Sequence, residues 1–232
     1  MSNPRKIEIL YEDNHLIAVN KPAGIPVQKD ESGDTSLVDI VSDYIRTEYN
    51  KPGNVFVGLV HRVDRPVSGI VLFAKTSKAL SRLNEMFKTR EVKKIYWAIV
   101  QNYPSELKGT VEHYLFKDNE KNKSFAYTKE RKGTKKSVLF YELIGSSKNY
   151  NLLEIELETG RHHQIRCQLA KIGCPIRGDL KYGAPRSNPN GNISLHAYKL
   201  IFEHPVQKKR IEIIAPLPKD DILWREFNAL TK

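Results

Sequence analysis

The chain has few of the residues that staple secreted domains together or bind metals. Its 232 residues include only two cysteines, Cys167 and Cys174, which is too few for a disulfide scaffold at this size and points to a reducing compartment. His162, His163, Cys167 and Cys174 cluster in sequence, but no paired CxxC and no HExxH spacing is present, so no metal site is expected. No segment approaches the roughly 20 apolar residues that span a bilayer. The stretch from Met1 to Lys6 is polar and basic with no apolar run behind it, so no secretory signal is read. Internal repeats and Gly-, Ser- or Pro-rich linkers are missing too. These absences lead us to expect a cytoplasmic protein with no membrane segment, folded as one domain over residues 1–232, with a monomer as the default since nothing in the sequence reads oligomeric state.

What the chain does have is positive charge. Lys and Arg total 38 against 27 acidic residues, a formal net charge of +11. A surplus of this size suits a polyanionic partner, because contacts to phosphates release counterions; solubility alone would also account for it. The most polar stretch, Lys117 to Lys136, holds eight basic residues against Asp118, Glu120 and Glu130. Ser124–Lys129 and Ser137–Leu143 read as strands around a Lys132-Gly133 turn, so a protruding basic hairpin is expected there.

Strand patterns dominate. Ile7–Tyr11 and Leu16–Val19 flank a hairpin turn, and Lys94–Val100 is a β-rich run. Leu153, Ile155 and Leu157 alternate with glutamates, while Ile193–Phe202 and Arg210–Ile214 read as late strands. Four helical stripes lie between them. Leu37, Ile40, Val41, Tyr44 and Ile45 form the first, capped by Thr35 or Ser36; Ala79, Leu80, Leu83, Met86 and Phe87 form the second. Ile165, Leu169 and Ile172, stopped by Gly173 and Pro175, form the third, and Leu223, Phe227 and Leu230 the last. Hairpins with single helices between them predict an α+β fold with a mostly antiparallel sheet.

The most informative stretch is His61-Arg62-Val63-Asp64-Arg65-Pro66-Val67-Ser68-Gly69, set between two runs that read as buried strands, Val55–Val60 and Ile70–Ala74. A carboxylate held among two arginines and a histidine in a short, Pro-stiffened linker meets the needs of a nucleophile working on an anionic substrate.

Three more patterns stand with it in order: Tyr11-Glu12-Asp13 followed by Leu16 to Gly24, with Asn20-Lys21-Pro22; Lys94-Ile95-Tyr96-Trp97-Ala98-Ile99-Val100; and Thr159-Gly160-Arg161-His162-His163-Gln164-Ile165-Arg166, continuing through Gly178-Asp179 and Tyr182-Gly183 to Leu195-His196-Ala197. Together they resemble the RluA family of RNA pseudouridine synthases, from about Tyr11 to about Pro216. Val67 departs from the family's usual Thr. The resemblance implies a bent, mixed, mostly antiparallel central sheet with flanking helices and the site in a central basic cleft. It implies isomerisation of uridine to pseudouridine in structured rRNA or tRNA without metal or diffusible cofactor. The catalytic pattern starts about ten residues in, so an N-terminal S4-type module is not expected.

By the same resemblance Asp64 is the essential aspartate. Attack on ribose C1′, addition to C6 of the base and stabilisation of a charge-separated intermediate all remain open to it. Arg166 matches the arginine that pairs with that aspartate, and a guanidinium beside an Asp lowers its pKa by about 1–3 units. Tyr96 matches the active-site tyrosine, a flat face for uracil and a phenol that can exchange a proton. Strand alternation puts Tyr96 and Trp97 on opposite faces, so only one of the two needs to be core. Arg62 is read as the side chain that fills the gap left when a uridine swings out of its stack, with His61 shaping the loop. Arg161 and Gln164 are read as phosphate contacts or as loop-positioning groups. The rival reading is a non-catalytic RNA-binding or RNA-folding protein using the same basic surface.

Overall fold

A computed structural model describes residues 7–231. The strands are β1 (Glu8–Glu12), β2 (Leu16–Lys21), β3 (Gly58–Leu59), β4 (Ser68–Ala74), β5 (Lys93–Val100), β6 (Lys108–Asp118), β7 (Lys123–Tyr127), β8 (Lys135–Ser146), β9 (Asn151–Leu157), β10 (Leu195–Glu203) and β11 (Arg210–Ile214). Four helices accompany them: α1 (Leu37–Glu48), α2 (Ser77–Lys88), α3 (Gln164–Lys171) and α4 (Ile222–Leu230). This is the expected α+β class with a mixed, mostly antiparallel sheet. The chain gathers into two compact units, one running to Val92 and taking in Ala197–Pro216, the other comprising Lys93–His196 and the stretch from Leu217 on.

In the first unit the strands run β1-β2-β4-β10, with β11 on β10 and β3 on β4. The register Leu16↔Ala74, Ala18↔Leu72 and Asn20↔Ile70 puts Leu16, Ala18, Ile70, Leu72 and Ala74 on one face. There they form a core with Ala79 and Leu83 of α2 and with Leu200, Phe202, Ile211 and Ile213. Ile17, Val19, Val71 and Phe73 on the other face are buried as well, which is why β4 reads as a continuous apolar run instead of an alternation. Helix α1 begins where expected: the Ser36 hydroxyl accepts the Asp39 N–H and the Asp39 carboxylate accepts the Ser36 N–H, a capping box.

The run Val55–Val60, expected as a buried strand, is not one. Only Gly58 and Leu59 pair with β4, at Ala74 and Phe73, and Phe56 is exposed. Since β4 already lies between β2 and β10, little of its edge is left for a further strand.

Gly69, which releases the Asp64 loop into β4, has φ +108°, and a Cβ there would stand 2.3 Å from the Ala197 carbonyl oxygen. Gly69→Ala should therefore cost about 2–5 kcal/mol from backbone strain and overpacking, measurable by urea denaturation.

In the second unit the order is β5-β9-β8-β6-β7. The Lys132-Gly133 turn forms, but the two strands it joins do not pair. Strand β6, unrecognised in the sequence, lies between them, pairing with β8 over Lys108–Leu115 and with β7 over Tyr114–Asp118. The true basic hairpin is β6–β7. Its tight turn is set by the Asp118 carboxylate, which accepts the Lys121 N–H at 3.0 Å, and by Asn122 at φ 44°.

Helix α3 starts from His163 in the left-handed region with no side-chain cap, and Gln164 through Leu169 are all buried. A one-sided apolar stripe therefore understates its burial. In α4 the buried residues are Trp224 and Phe227, whereas Leu230, expected in the stripe, is 57% exposed. No helix among the described residues is long and apolar enough to cross a membrane.

Candidate active site

The Asp64 loop is built from the first unit. Val63 and Val67 are buried and anchor it, Asp64 is half-buried and Arg62 is exposed. The Val67 N–H closes a turn on the Asp64 carbonyl at 3.0 Å. The Arg65 side chain is turned away to clasp the preceding loop, donating to the Gly24 carbonyl at 2.9 Å and the Ser32 hydroxyl at 3.0 Å and pairing with Asp34. His61 is held by packing: its ring stacks on Phe87 at 5.0 Å and its Nε2 accepts the Leu72 N–H at 3.1 Å.

Beneath this loop lies a residue to which sequence reading gave no role. Lys21, at the end of β2, is fully buried. Its ammonium donates to the carbonyls of Pro22 at 3.1 Å, Ile25 at 2.9 Å and Arg65 at 3.0 Å, and the Gly24 N–H reaches the same Arg65 carbonyl at 2.8 Å. Burial pulls the Lys21 pKa down to about 7, while the Asp64 carboxylate pushes it the other way. Lys21 thus ties the Pro22–Ile25 loop to the carbonyl of Arg65, the residue that follows Asp64, and sits within the field of that carboxylate.

Arg166 and Tyr96 belong to the second unit. Arg166 is buried. Its Nε and one terminal nitrogen donate to the two Asp179 oxygens at 2.7 and 2.9 Å, and its guanidinium carbon lies 5.1 Å from the centre of the Tyr182 ring. The pair is dry, with side chains 6% and 1% exposed. Asp179 is therefore a second residue the sequence reading left without a role; its signal was the Gly178-Asp179 step following the α3 motif. Removing one partner of such a pair strands a buried charge. Asp179→Asn should cost about 3–5 kcal/mol, a fall of roughly 10 °C in Tm by calorimetry, and Asp179→Glu should recover part of it.

Around this pair sits a polar lattice. The Tyr182 hydroxyl accepts the Ser124 N–H at 2.8 Å and lies 3.0 Å from His163 Nδ1. Burial, with the Arg166 charge behind it, pushes the His163 pKa down to about 2, so His163 is neutral and shares one hydrogen bond with the Tyr182 hydroxyl through Nδ1. Gln164 is also an internal clasp. Its oxygen accepts from the Thr159 hydroxyl at 2.8 Å and the Arg161 N–H at 3.0 Å, and its amide donates to the Val138 carbonyl at 3.1 Å. Arg161 itself is exposed.

Tyr96 lies opposite Ile155, which is opposite Tyr141, and Tyr141 is opposite Gly109. That places Tyr96 on the face of the second unit's sheet that carries Val111 and Leu115. Trp97 lies on the other face, donating its indole N–H to Glu154 at 3.0 Å. The opposite faces are as expected, but both rings are buried, at 9% and 6% exposure, since each face is covered at this point.

A family model described as RNA pseudouridylate synthase matches residues 15–171, a span containing the Asp64 loop, Tyr96 and Arg166. The chain belongs to that family. RNA pseudouridylate synthases are isomerases that convert uridine to pseudouridine in RNA. An RNA pseudouridine synthase of Synechocystis sp. is 35% identical over 216 residues, covering 91% of this chain and 66% of that protein. The ribosomal large subunit pseudouridine synthase D of Zymomonas mobilis is 34% identical over 224 residues, covering 92% and 70%. The chain thus spans about two thirds of the length of these relatives. Human RNA pseudouridylate synthase domain containing 4 shares the fold at a TM-score of 0.78 and 25% identity, over 97% of this chain and 92% of that one. Among the described residues, no three His, Cys, Asp or Glu side chains gather as a metal ion would require.

Proposed function

We propose that this pseudouridine synthase isomerises uridine at one or a few positions of structured ribosomal RNA, with transfer RNA as the other candidate substrate, and that Asp64 is its catalytic carboxylate. The carrying observation is the family match spanning the Asp64 loop, joined by a relative that is named for the large ribosomal subunit. The reaction breaks the bond from ribose C1′ to the uracil nitrogen N1 and makes one from C1′ to C5; the C5 proton leaves and N1 gains a proton, so the product is an isomer of the substrate. In this reading Asp64 assists glycosidic cleavage, Arg166 supplies positive charge in a dry setting, and Tyr96 packs against the uracil and exchanges a proton. Arg62 and Arg161, both exposed, take the RNA backbone or the space of the extruded base. His61 and Gln164 shape their loops. The enzyme acts as a monomer and as one catalytic domain in the cytoplasm, and the +11 charge supplies sequence-independent affinity for RNA.

The test is a pseudouridine map of ribosomal and transfer RNA from a strain lacking the gene. One or more modifications should be missing, restored by the wild-type chain and not by Asp64→Ala. Restoration by the alanine variant would leave the chain as an RNA-binding or RNA-folding protein. Insensitivity to EDTA is expected in the purified reaction.

A further inference from the structure

The face of β6 and β7 turned away from α3 carries a block of aromatic rings to which the isomerisation assigns no task. Tyr114 lies directly opposite Tyr127, and Phe116 directly opposite Phe125. The residues between them point the other way: Leu115 and Ala126 pack with Cys167, Ala170 and Tyr182. Four aromatic side chains therefore share the outer face of a two-stranded ribbon at the sheet edge. Phe116 is 39% exposed, and Tyr114, Phe125 and Tyr127 are partly exposed.

Cations frame the block. The Arg131 guanidinium sits 4.1 Å from the centre of the Tyr127 ring, and Lys123, at the strand edge, lies 5.8 Å from that of Phe125 and 5.2 Å from that of Tyr182. The segment from Lys117 to Lys136 that forms this edge holds eight basic residues against three acidic ones. Farther into the sheet the same face turns acidic. Phe140 is opposite Glu156, which pairs with Lys93, and Glu142 is opposite Glu154, so the surplus of positive charge on this face lies at the β6–β7 edge. Core formation does not need large rings on a wet face, and a second copy of the chain would bring like charge against like.

We propose that this face is a stacking platform for a single-stranded stretch of RNA, separate from the uridine that reacts. It rests on the RNA partner of the proposed function, not on its chemistry. Same-face neighbours along a strand stand about 7 Å apart, which suits splayed bases laid on successive rings while Lys and Arg follow the phosphates.

The probe is a fluorescein-labelled twelve-residue oligoadenylate, which offers the isomerisation nothing to act on, with anisotropy read on the full chain. Replacing Phe116 and Tyr127 together by alanine should weaken binding about 10- to 100-fold, and Phe116→Tyr should bind within about threefold of wild type. Photo-crosslinks should fall on Ser124–Lys129. If the double variant melts early, Arg131→Glu with Lys132→Glu replaces it, with a loss of at least tenfold expected. Unchanged affinity in whichever variant is folded, crosslinks elsewhere, or preference for an RNA duplex overturns the platform. So does a wild-type dimer that Phe116→Ala dissociates in sedimentation, which would assign the face to a second copy. Pseudouridine formation is scored separately. Binding through Phe116 without pseudouridine formation would sink the enzymatic reading alone, and pseudouridine formation with unaltered binding in the double variant would sink the platform alone.

Discussion

Asp64→Asn should reduce pseudouridine formation by more than ~10³-fold, the scale on which loss of a reacting side chain is felt, while the protein stays folded. The substitution keeps the size of the side chain and its place in the turn closed by the Val67 N–H, so the loss is one of charge and not of loop geometry. Tritium release from RNA carrying 5-tritiated uridine reads the reaction directly. A stability change of about 1 kcal/mol is expected, because Lys21 loses the negative charge that favours its protonated form. A variant retaining more than a tenth of wild-type turnover would show that the carboxylate is not the reacting group.

Lys21→Met should destabilise the fold about as strongly as Asp179→Asn. Methionine fills nearly the same space, yet the carbonyls of Pro22 and Ile25 lose the buried donor they share, and Arg65 keeps only the Gly24 N–H. Buried unsatisfied carbonyls cost about 1–3 kcal/mol each, so a loss of roughly 3–5 kcal/mol is expected, with activity falling as the Asp64 loop loosens.

The pH dependence of Lys21 has a definite sign. Its folded pKa, about 7, lies below the ordinary 10.5, so between these values the unfolded chain binds the extra proton, and the lysine's contribution to stability rises with pH. Below about 7 both states are charged, and the cost of burying the charge is carried in full. Three carbonyl acceptors and the Asp64 carboxylate work against the depression, since an ammonium has three protons to donate and a neutral amine two. The stability gap between wild type and Lys21→Met should therefore widen from about pH 7 to about pH 9, at up to ~1 kcal/mol per unit, by urea denaturation. A gap that stays flat over this range would mean that the carbonyl cage holds Lys21 charged in the fold, since both states then bind the same proton.

Local pattern was enough for much of this protein. The alternation in β9, the buried run of β4 and the cap at Ser36 are properties of neighbouring residues, and each element formed within a residue or two of where the pattern put it. The motif around Asp64 was legible because it groups an acid, cations, Pro66 and Gly69 within nine positions, and the other family patterns are equally contiguous. Pairing was not legible in this way. Both the Asp118–Asn122 and the Lys132-Gly133 turns form, yet only the first joins strands that pair with each other; β8 crosses to the far side of β6, which no local turn signal states. The two buried charges were hidden for a related reason. Lys21 looks like a surface cation in a chain with net charge +11, and the family pattern marks Arg166 without revealing Asp179 as its partner. Only the folded chain brings the Arg65 carbonyl to Lys21 and the Asp179 carboxylate to Arg166, across 44 and 13 positions. A charge is tolerated in the interior only where such partners converge, and convergence is a property of the packed chain, not of any window along it.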